Sequence, residues 1–319
     1  MLHTRLPKVL LTGAFGNIGQ HTLELLLKHE YPVQAFDVDT KINKKIARRF
    51  DAQVLWGDIG NYDDIFRAMD GVDAVIHLAA IIPPKSEENP GLSYGVNVQG
   101  TKNIIRAMML YDTKHLVYAS SVAVHGRSYE RPMLFIDYPL VATDHYSAQK
   151  IECENYLAQV KVNSTVLRFG GATFPFRTEP HPSVFDISLD AKLEMVHPKD
   201  AATAAVNALF NEETYGKRYF IGGGSEFQMT YGEYLQKILE SIGLEMLPEE
   251  AFGNDPFHTN YMDTAEAQRI LRFQNHSFDD FLRDSKKDQG LNAYVLMIPG
   301  AGFFARKKLL ALSQHYKQK

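Results

Sequence analysis

The chain has 319 residues, of which 45% are hydrophobic and 23% charged, a composition typical of a soluble globular protein. Its length allows a full hydrophobic core and favours one large domain with a smaller one beside it. The net charge of −4 excludes an overall electrostatic footprint for nucleic acid, and the one cysteine, Cys153, excludes an intramolecular disulfide.

The start of the sequence has no apolar stretch of signal-peptide length, and no apolar run elsewhere is as long as a transmembrane helix. The lone cysteine also fits a reducing compartment. The sequence therefore predicts a cytoplasmic protein with neither a nucleic-acid partner nor a metal site.

A glycine-rich turn follows the first predicted strand, residues 8–11, and precedes a predicted helix over residues 18–28. Strand, glycine turn and helix in this order are the context of a dinucleotide fingerprint, with the helix N-terminus facing the phosphates. Its first glycine permits a tight turn, the second lets the backbone approach a pyrophosphate, and the third lets the helix pack on the strand. The predicted cofactor contacts in this turn are Gly13, Phe15, Gly16, Asn17, Ile18 and Gly19.

Asp37 ends the second predicted strand, residues 33–36. It lies about twenty residues beyond the turn, where a carboxylate can accept hydrogen bonds from a ribose diol and repels a 2′-phosphate. The basic run within residues 41–49 is a contrary signal, but a solvated helix face is the preferred interpretation. NAD is therefore the predicted cofactor, with NADP as the alternative.

Apolar strand-like runs alternate with helical segments along much of the chain. Further strands are predicted at 53–56, 74–78, 115–119, 162–167 and 217–221, and further helices at 63–69, 96–110, 146–160, 199–210 and 231–242. This alternation predicts an α/β fold, a Rossmann-type doubly wound parallel sheet with a small C-terminal substrate-binding domain. The predicted division is an NAD(P)-binding domain at 1–170 with 195–222, a substrate-binding region at 171–194 with 223–290, and a C-terminal tail at 291–319.

The C-terminal tail combines an apolar run, residues 294–304, with a basic cluster at Arg306, Lys307 and Lys308. Packing on its own domain or on a second subunit is the preferred interpretation. Contact with a membrane surface is the alternative, because apolar residues beside basic ones suit it, although Pro299 and Gly300 interrupt any long amphipathic helix.

Tyr146 and Lys150 lie four residues apart on a predicted helix, so their side chains share one face. A lysine ammonium beside a phenol favours the phenolate, and we expect the pKa of Tyr146 to fall toward the working pH. Such a tyrosine can exchange a proton with a hydroxyl or a carbonyl oxygen. The spacing is common on solvated helices, and it gains weight from the dinucleotide fingerprint that precedes it.

With these motifs in this order, the chain resembles the extended short-chain dehydrogenase/reductase family, the NAD-dependent epimerase/dehydratase group, over roughly residues 7–285. The matching segments are 12–19, 57–59, 77–80, 97–101, 119–126, 146–150 and 197–200. The resemblance implies further cofactor contacts at Asp58, Ile59, Leu78, Ala79, Ala80, Asn97, Ala119, Tyr146 and Lys150. A helix cap or structural amide is an equal alternative for Asn97, and His197 is interpreted as structural.

The resemblance also implies an oxidoreductase with Ser121, Tyr146 and Lys150 as catalytic residues. Hydride moves between the nicotinamide and a carbon that bears oxygen, and Tyr146 handles the proton on that oxygen. Lys150 lowers the tyrosine pKa and can bond the nicotinamide ribose, while Ser121 donates a hydrogen bond to the developing alkoxide. A homodimer formed through the helices that carry Asn97 and Tyr146 is a further expectation from the family.

The segment after the predicted strand 162–167 departs from the nucleotide-sugar members of that family. Gly171 stands where those enzymes place an asparagine, the following loop looks short, and His125 replaces the usual tyrosine. Residues 81–84 would add an apolar wall, so a smaller or less polar alcohol or ketone is the favoured substrate. The predicted substrate contacts are Ile82, Ser121, Gly171, Arg177 and His181.

Three functions are compatible with the sequence. The first is an NAD(P)-dependent oxidoreductase acting on an alcohol or ketone. The second is a nucleotide-sugar epimerase or dehydratase, in which hydride transfer is transient and the cofactor shows no net change. The third is a dinucleotide-binding regulator without turnover, against which the intact set Ser121, Tyr146 and Lys150 argues.

Overall fold

The computed structural model describes residues 6–127, 131–173, 180–256, 259–289 and 301–316. Its strands are β1 (Val9–Thr12), β2 (Val33–Asp37), β3 (Gln53–Trp56), β4 (Ala74–His77), β5 (His115–Ser121), β6 (Ser164–Phe169), β7 (Gly171–Ala172), β8 (Lys192–Val196), β9 (Arg218–Ile221) and β10 (Gln228–Thr230). Seven of them form a parallel sheet in the order β3-β2-β1-β4-β5-β6-β9. The order changes direction between β1 and β4, and in such sheets the carboxyl ends at this point form the ligand crevice.

Helices cover both faces of the main sheet, and further helices pack beside the second, smaller sheet. They are α1 (Asn17–Lys28), α2 (Lys41–Ala47), α3 (Tyr62–Ala68), α4 (Lys85–Glu88), α5 (Pro90–Tyr94), α6 (Thr101–Tyr111), α7 (His145–Gln159), α8 (Pro198–Ala208), α9 (Tyr231–Ser241), α10 (Ala265–Leu271), α11 (Phe278–Gln289) and α12 (Ala301–Leu310). In β1, Val9 and Leu11 pack toward α1 and α8, whereas Leu10 packs in the core beneath α3, α6 and α7. This alternation follows from the two-residue period of a strand, and full burial of both faces explains the continuous apolar run.

A second, three-stranded sheet has the order β10-β8-β7. Leu193 of β8 shares a core with Phe227, Phe278 and Phe281, so α11 packs over this sheet. Leu310 of α12 packs in a neighbouring cluster that contains Phe185, Leu239, Leu244, Leu247 and Ala251.

A π-helical turn, Gly95–Gly100, lies between α5 and α6, where the sequence predicted an α-helix from residue 96 to 110. A Cβ at Gly100 would lie 2.6 Å from Cγ1 of Ile59, so glycine allows this turn to lie close to the loop after β3. The wide turn also carries the buried Asn97, and π turns of this kind are frequent at functional sites.

The division into two domains stays a prediction. Strand β8 crosses the predicted boundary at residue 194, and Ala267, Leu271 and Phe273 of the predicted substrate-binding region pack in the core of the main sheet. Within the described ranges, no helix has the length and apolar character needed to cross a membrane.

Candidate active site

The glycine-rich turn joins β1 to α1 at the carboxyl end of the main sheet. Gly13 has φ +70°, and a Cβ there would lie 2.7 Å from the backbone nitrogen of Ala79. A Cβ at Gly19 would lie 2.0 Å from the carbonyl oxygen of Gly13. Two glycines are therefore required by close backbone contacts, and the turn lies directly beside the end of β4.

Asp37 connects the end of β2 to this turn. Its Oδ2 accepts a hydrogen bond from the Phe15 backbone N–H at 2.9 Å, and its Oδ1 accepts from Val38 N–H and Asn43 Nδ2. Burial raises the pKa of Asp37, while the two backbone donors lower it. An ionised Oδ2 with one protein donor has a lone pair left for a ribose hydroxyl.

Asp58 and Ile59 lie in the loop after β3. Asp58 is exposed and its Oδ1 accepts from Gly60 N–H at 2.8 Å, whereas Ile59 is buried. Asn103 of α6 donates its Nδ2 hydrogens to the carbonyl oxygens of Ile59 and Gly60, both at 3.0 Å. Sequence reasoning missed Asn103, and its position two residues after the predicted family segment 97–101 was the available signal.

The end of β4, Leu78, Ala79 and Ala80, runs into a segment that Asn97 holds in place. Asn97 is buried; its Oδ1 accepts from Ile81 N–H at 2.7 Å, and its Nδ2 donates to Ile81 O at 2.8 Å and Gln149 Oε1 at 2.7 Å. Protein groups thus engage both its donor hydrogens and its carbonyl oxygen. This favours the structural alternative for Asn97, as a tie between the end of β4 and α7.

Ser121, Tyr146 and Lys150 lie together where β5 ends against α7. The side chain of Ser121 lies beside Tyr146 and lowers the pKa of its phenol, and Ser121 Oγ accepts a hydrogen bond from the Ala123 N–H at 3.2 Å. Lys150 is buried, and its Nζ donates to the carbonyl oxygen of Ala119 at 2.6 Å and lies 5.7 Å from the Tyr146 ring centroid. The fold therefore brings together the three residues that the sequence predicted as catalytic.

The pKa of Tyr146 moves in the direction opposite to the one expected from the sequence. Burial raises it to about 12, and the influence of the nearby Ser121, which lowers the pKa, offsets this rise only in part. Burial also lowers the pKa of Lys150 to about 8. The expected fall fails because the Lys150 ammonium binds Ala119 O instead of the phenol oxygen, and desolvation then dominates both groups.

A buried ion pair joins α7, the helix that carries Tyr146 and Lys150, to strand β6. Glu154 and Arg168 are almost fully buried and make two hydrogen bonds, Nε to Oε1 at 3.0 Å and Nη2 to Oε2 at 2.7 Å. Ser120 donates to Glu154 Oε1 at 2.6 Å, and Arg168 Nη1 lies 3.0 Å from His125 Nε2. Sequence reasoning missed this pair, although Glu154 follows Lys150 by four residues and shares its helix face.

His125 has a clear role in that network. Burial and the nearby Arg168 lower its pKa to about 4, so the ring is neutral and accepts the Arg168 hydrogen at Nε2. Its Nδ1 lies 3.3 Å from Pro139 O, as the donor that this tautomer provides. The histidine that replaces the usual tyrosine therefore links β6 to the loop before α7.

Of the predicted substrate residues, Ile82 and Gly171 are at least partly exposed. Ile82 is 42% exposed, and a Cβ at Gly171 would lie 2.5 Å from Met195 Sδ. That contact gives a packing reason for glycine at position 171. Arg177 lies outside the described residues.

His181 lies near α4. Its Nε2 lies 3.8 Å from Glu88 Oε1 of that helix, and its Nδ1 lies 2.8 Å from Ser183 Oγ. The neighbouring Glu87 accepts hydrogen bonds from the backbone N–H groups of His145 at 3.0 Å and Tyr146 at 3.1 Å. Helix α4 thus lies near His181 and is bonded to the N-terminus of α7, a link that sequence reasoning missed.

His197 caps α8, in agreement with its structural interpretation. Its Nδ1 accepts from Lys199 N–H at 3.1 Å, and its ring stacks on His276 with centroids 4.5 Å apart. A cavity of about 160 Å³ beside it is also lined by Asn17 and Thr173. Among the described residues, no group of three His, Cys, Asp or Glu side chains is placed to hold a metal ion.

A larger cavity, of about 540 Å³, lies away from this chemistry. Pro7, Val72, Asp73 and Lys114 line it at the amino ends of the strands. The glycine turn, Asp37 and Tyr146 are at the opposite, carboxyl ends, where α/β sheets bind their ligands. The candidate site is therefore defined by the residues that meet at the carboxyl ends of the strands, and not by the larger cavity.

Comparison with known proteins identifies the family of the chain. The 3-beta hydroxysteroid dehydrogenase/isomerase family matches residues 10–175, slightly more than half of the chain, including Ser121, Tyr146 and Lys150. The chain belongs to this family. The resemblance to extended short-chain dehydrogenases/reductases and the Rossmann-type fold are thus confirmed.

The relatives include dehydrogenases and epimerases. The chain is 29% identical over 163 residues to the 3-beta-hydroxysteroid dehydrogenase of Mycolicibacterium neoaurum, covering 49% of this chain and 44% of the relative. It is 33% identical over 141 residues to human sterol-4-alpha-carboxylate 3-dehydrogenase, decarboxylating (44% and 36%). It is 32% identical over 175 residues to UDP-glucose 4-epimerase 3 of Oryza sativa subsp. japonica (50% and 46%). The matched segments thus cover less than half of each relative.

Solved structures share the fold over a longer part of the chain. The dTDP-glucose 4,6-dehydratase DesIV of Streptomyces venezuelae, with NAD and TYD bound, has a TM-score of 0.77 and 22% identity, covering 89% of this chain and 98% of that one. The UDP-glucose-4-epimerase of Stenotrophomonas maltophila, with NAD bound, has a TM-score of 0.75 and 21% identity, with the same coverage.

Proposed function

We propose that this protein is an NAD-dependent oxidoreductase that transfers hydride between the cofactor and a carbon bearing a hydroxyl or carbonyl group. The main support is the meeting of Ser121, Tyr146 and Lys150 at the carboxyl end of the sheet, beside the glycine turn. When bound, the nicotinamide accepts hydride from an alcohol or gives hydride to a ketone. The residues of the chain orient the reactants and manage the proton and the charge.

Tyr146 is the proton-transfer residue in this proposal. During alcohol oxidation its phenolate takes the hydroxyl proton while hydride leaves the carbon, and the substrate becomes a ketone; reduction runs the same steps backwards. Ser121 lies beside Tyr146, and its hydroxyl can donate to the substrate oxygen as negative charge develops there. Lys150, fixed by Ala119 O, supplies positive charge beneath the tyrosine ring and has further hydrogens for a ribose hydroxyl.

The residues present fit a dinucleotide, and NAD in particular. A side chain at Gly13 or Gly19 would clash with the backbone. Glycine at both positions allows the close turn and leaves the N-terminus of α1 open to a phosphate. The Asp37 carboxylate suits a ribose diol and opposes a 2′-phosphate. Lys44 of the basic run pairs with Asp39 at 2.8 Å, which supports the solvated-face interpretation over a phosphate site.

A weakly polar secondary alcohol, such as a 3-hydroxysteroid or sterol, is the proposed substrate class. Ile82 offers apolar surface on the rim of the site, and Gly171 provides no amide where nucleotide-sugar enzymes have asparagine. Two relatives are named for chemistry at carbon 3 of steroids or sterols. A nucleotide sugar, with transient hydride transfer, is the second candidate because one relative is named as a UDP-glucose 4-epimerase.

The deciding experiment follows NADH absorbance after addition of substrate. We expect net NADH formation with NAD and a 3β-hydroxysteroid, and none with UDP-glucose. Epimerised product from UDP-glucose without a change in NADH would replace the proposal by the second candidate. Binding of NAD with no product from either class would support a non-catalytic regulator.

A homodimer through α6 and α7 is also proposed. Leu92 and Tyr94 on α5, and Met109 and Leu110 on α6, are exposed apolar side chains available for such an interface. Analytical ultracentrifugation should give twice the chain mass of 36.1 kDa. A monomer across all protein concentrations would overturn this part of the proposal.

A further inference from the structure

Tyr118 of β5 is a fully buried aromatic residue beside Lys150. Its side chain packs in the core beneath α3, α6 and α7, together with Leu116, which lies two positions earlier on the same face of the strand. Its hydroxyl is buried and has no hydrogen-bond partner among the described residues. The contribution of Tyr118 to the site therefore comes from its ring.

The ammonium group of Lys150 lies over the face of this ring. Lys150 Nζ is 4.9 Å from the Tyr118 ring centroid, compared with 5.7 Å from that of Tyr146. Its hydrogen bond to Ala119 O, at 2.6 Å, fixes the ammonium at this position. An aromatic face attracts a cation within about 6 Å of its centroid, and the attraction is largest where both groups are desolvated. Lys150 is only 3% exposed and Tyr118 is fully buried, so both conditions are met.

The ammonium group of Lys150 needs this attraction to keep its charge. The other ionisable side chains around it are Tyr146, Cys153 and Glu154 on α7 and His77 on β4. His77 is neutral, because burial lowers its pKa to about 3, and the carboxylate of Glu154 is bonded to Arg168. Burial outweighs the groups that raise the pKa of Lys150 and lowers it to about 8. The Tyr118 ring opposes this fall, because it stabilises only the charged form of the lysine.

We propose that Tyr118 is a positioning residue of the hydride-transfer site, which keeps the Lys150 ammonium charged and in place through the face of its ring. This role rests on the proposed function, in which Lys150 supplies positive charge beside Tyr146. A charged Lys150 favours the phenolate that takes the substrate proton, and it has hydrogens for the cofactor ribose. Without the ring, the same lysine would lose its charge at lower pH.

The test measures the pKa of Lys150 in the full-length protein by ¹³C NMR of chains labelled at lysine Cε, with Lys150→Met to identify its signal. Tyr118→Leu removes the aromatic face and keeps an apolar side chain, so the pKa of Lys150 should fall by about 1, a tenfold increase in its acid dissociation constant. Tyr118→Phe keeps the face and removes only the hydroxyl, so it should restore the pKa to within about 0.3 of the wild-type value.

The kinetic arm follows kcat for oxidation of a 3β-hydroxysteroid as the pH changes. At pH 8, Tyr118→Leu should lower kcat about fivefold, because the charged fraction of Lys150 falls from about one half to about one tenth. This deficit should disappear at about pH 6, where the lysine is charged in both proteins. A loss caused only by poorer packing would persist across the pH range.

Leu116→Ala is the matched control, because it opens a cavity in the same core and leaves the Tyr118 ring in place. It should lower the free energy of unfolding and leave both the pKa of Lys150 and kcat unchanged. Circular dichroism checks that each variant folds, and Tyr118→Met replaces Tyr118→Leu if the latter does not.

The proposal is overturned if removal of the aromatic ring leaves the pKa of Lys150 unchanged or raises it, or if Leu116→Ala lowers it equally. The NMR measurement needs no substrate, so its outcome is separate from that of the proposed function. A wild type that oxidises no alcohol would reject the proposed function, and with it the role of Tyr118 in hydride transfer, even if the pKa responds to the ring.

Discussion

The Lys150 ammonium is bonded to the carbonyl oxygen of Ala119, 2.6 Å away, and lies under the ring of Tyr146 without a hydrogen bond to its phenol. This contact holds a buried cation at one place, while Ser121 lies beside the phenol and lowers its pKa. In the proposed mechanism, Tyr146 therefore transfers the proton, and Lys150 supplies the positive charge.

The first prediction concerns the cost of burying Lys150. Its pKa in the folded protein is about 8 and the ordinary value is 10.5, so between these pH values the unfolded chain binds more protons than the folded one. Stability therefore rises with pH through this window. Compared with Lys150→Met, the wild type should gain about 1–3 kcal/mol of unfolding free energy from the lower to the higher pH. Urea unfolding of both proteins measures this difference, and a difference independent of pH would contradict it.

The second prediction concerns the reaction itself. Tyr146→Phe should lower kcat by about 10²–10⁴-fold, and Ser121→Ala by about 10²–10³-fold, with NAD binding retained. Tyr156→Phe, on the same helix, is the matched control and should keep its activity. Steady-state kinetics and NAD titration measure these effects. Full activity in Tyr146→Phe would exclude the proposed mechanism.

The direction of the pH profile follows from the same tyrosine. Alcohol oxidation needs the phenolate, and the pKa of Tyr146 is about 12, so the oxidation rate should rise with pH for as long as the fold persists. Ketone reduction needs the phenol and should not rise. Initial rates in both directions check this, and an oxidation rate that falls with pH would argue against Tyr146 as the base.

The third prediction concerns the cofactor. Asp37→Ala should raise the Kd for NAD by about 10–100-fold, because a hydrogen bond to an ionised group is lost, and should reduce the preference for NAD over NADP. Asp39→Ala removes a neighbouring carboxylate that pairs with Lys44, and it should change neither. Isothermal titration with both cofactors measures the effect; equal losses in the two variants would show a general charge effect.

The fourth prediction concerns the buried ion pair. Glu154→Gln leaves Arg168 without its charged partner and should cost about 3–5 kcal/mol of stability. Glu152→Gln on the same helix breaks a more exposed pair with Lys102 and should cost less than about 1 kcal/mol. Denaturant unfolding of the two variants compares them directly. Similar losses would mean that burial does not govern the energetics of these pairs.

The sequence predicted the main sheet well because parallel strands buried on both faces are continuous apolar runs. The predicted strand at 53–56 matches β3, and the one at 162–167 differs from β6 by two residues at each end. The glycine turn was also predicted, because the spacing of its glycines is a local pattern, although the contact that requires Gly13 is made with the distant Ala79.

Other features depend on contacts between distant segments and have no local signature. Glu154 and Arg168 meet only after α7 packs on β6, and Glu87 reaches α7 across 58 positions of the chain. The pKa of Tyr146 was misjudged for the same reason: helix spacing indicates that Lys150 is near, but burial and the competing oxygen of Ala119 decide the outcome.

The link between α4 and α7 has a consequence for how selectivity would be expressed. Ser86 N–H donates to Ile82 O at 3.2 Å, and the adjoining Glu87 holds the backbone of His145 and Tyr146. A substrate that displaces Ile82 therefore also displaces the segment that contains Glu87. This segment fixes the N-terminus of α7, the helix that carries Tyr146. A substrate that fits poorly should therefore have a lower turnover number, with a smaller change in affinity. It can still bind, but it moves Tyr146 out of position for proton transfer.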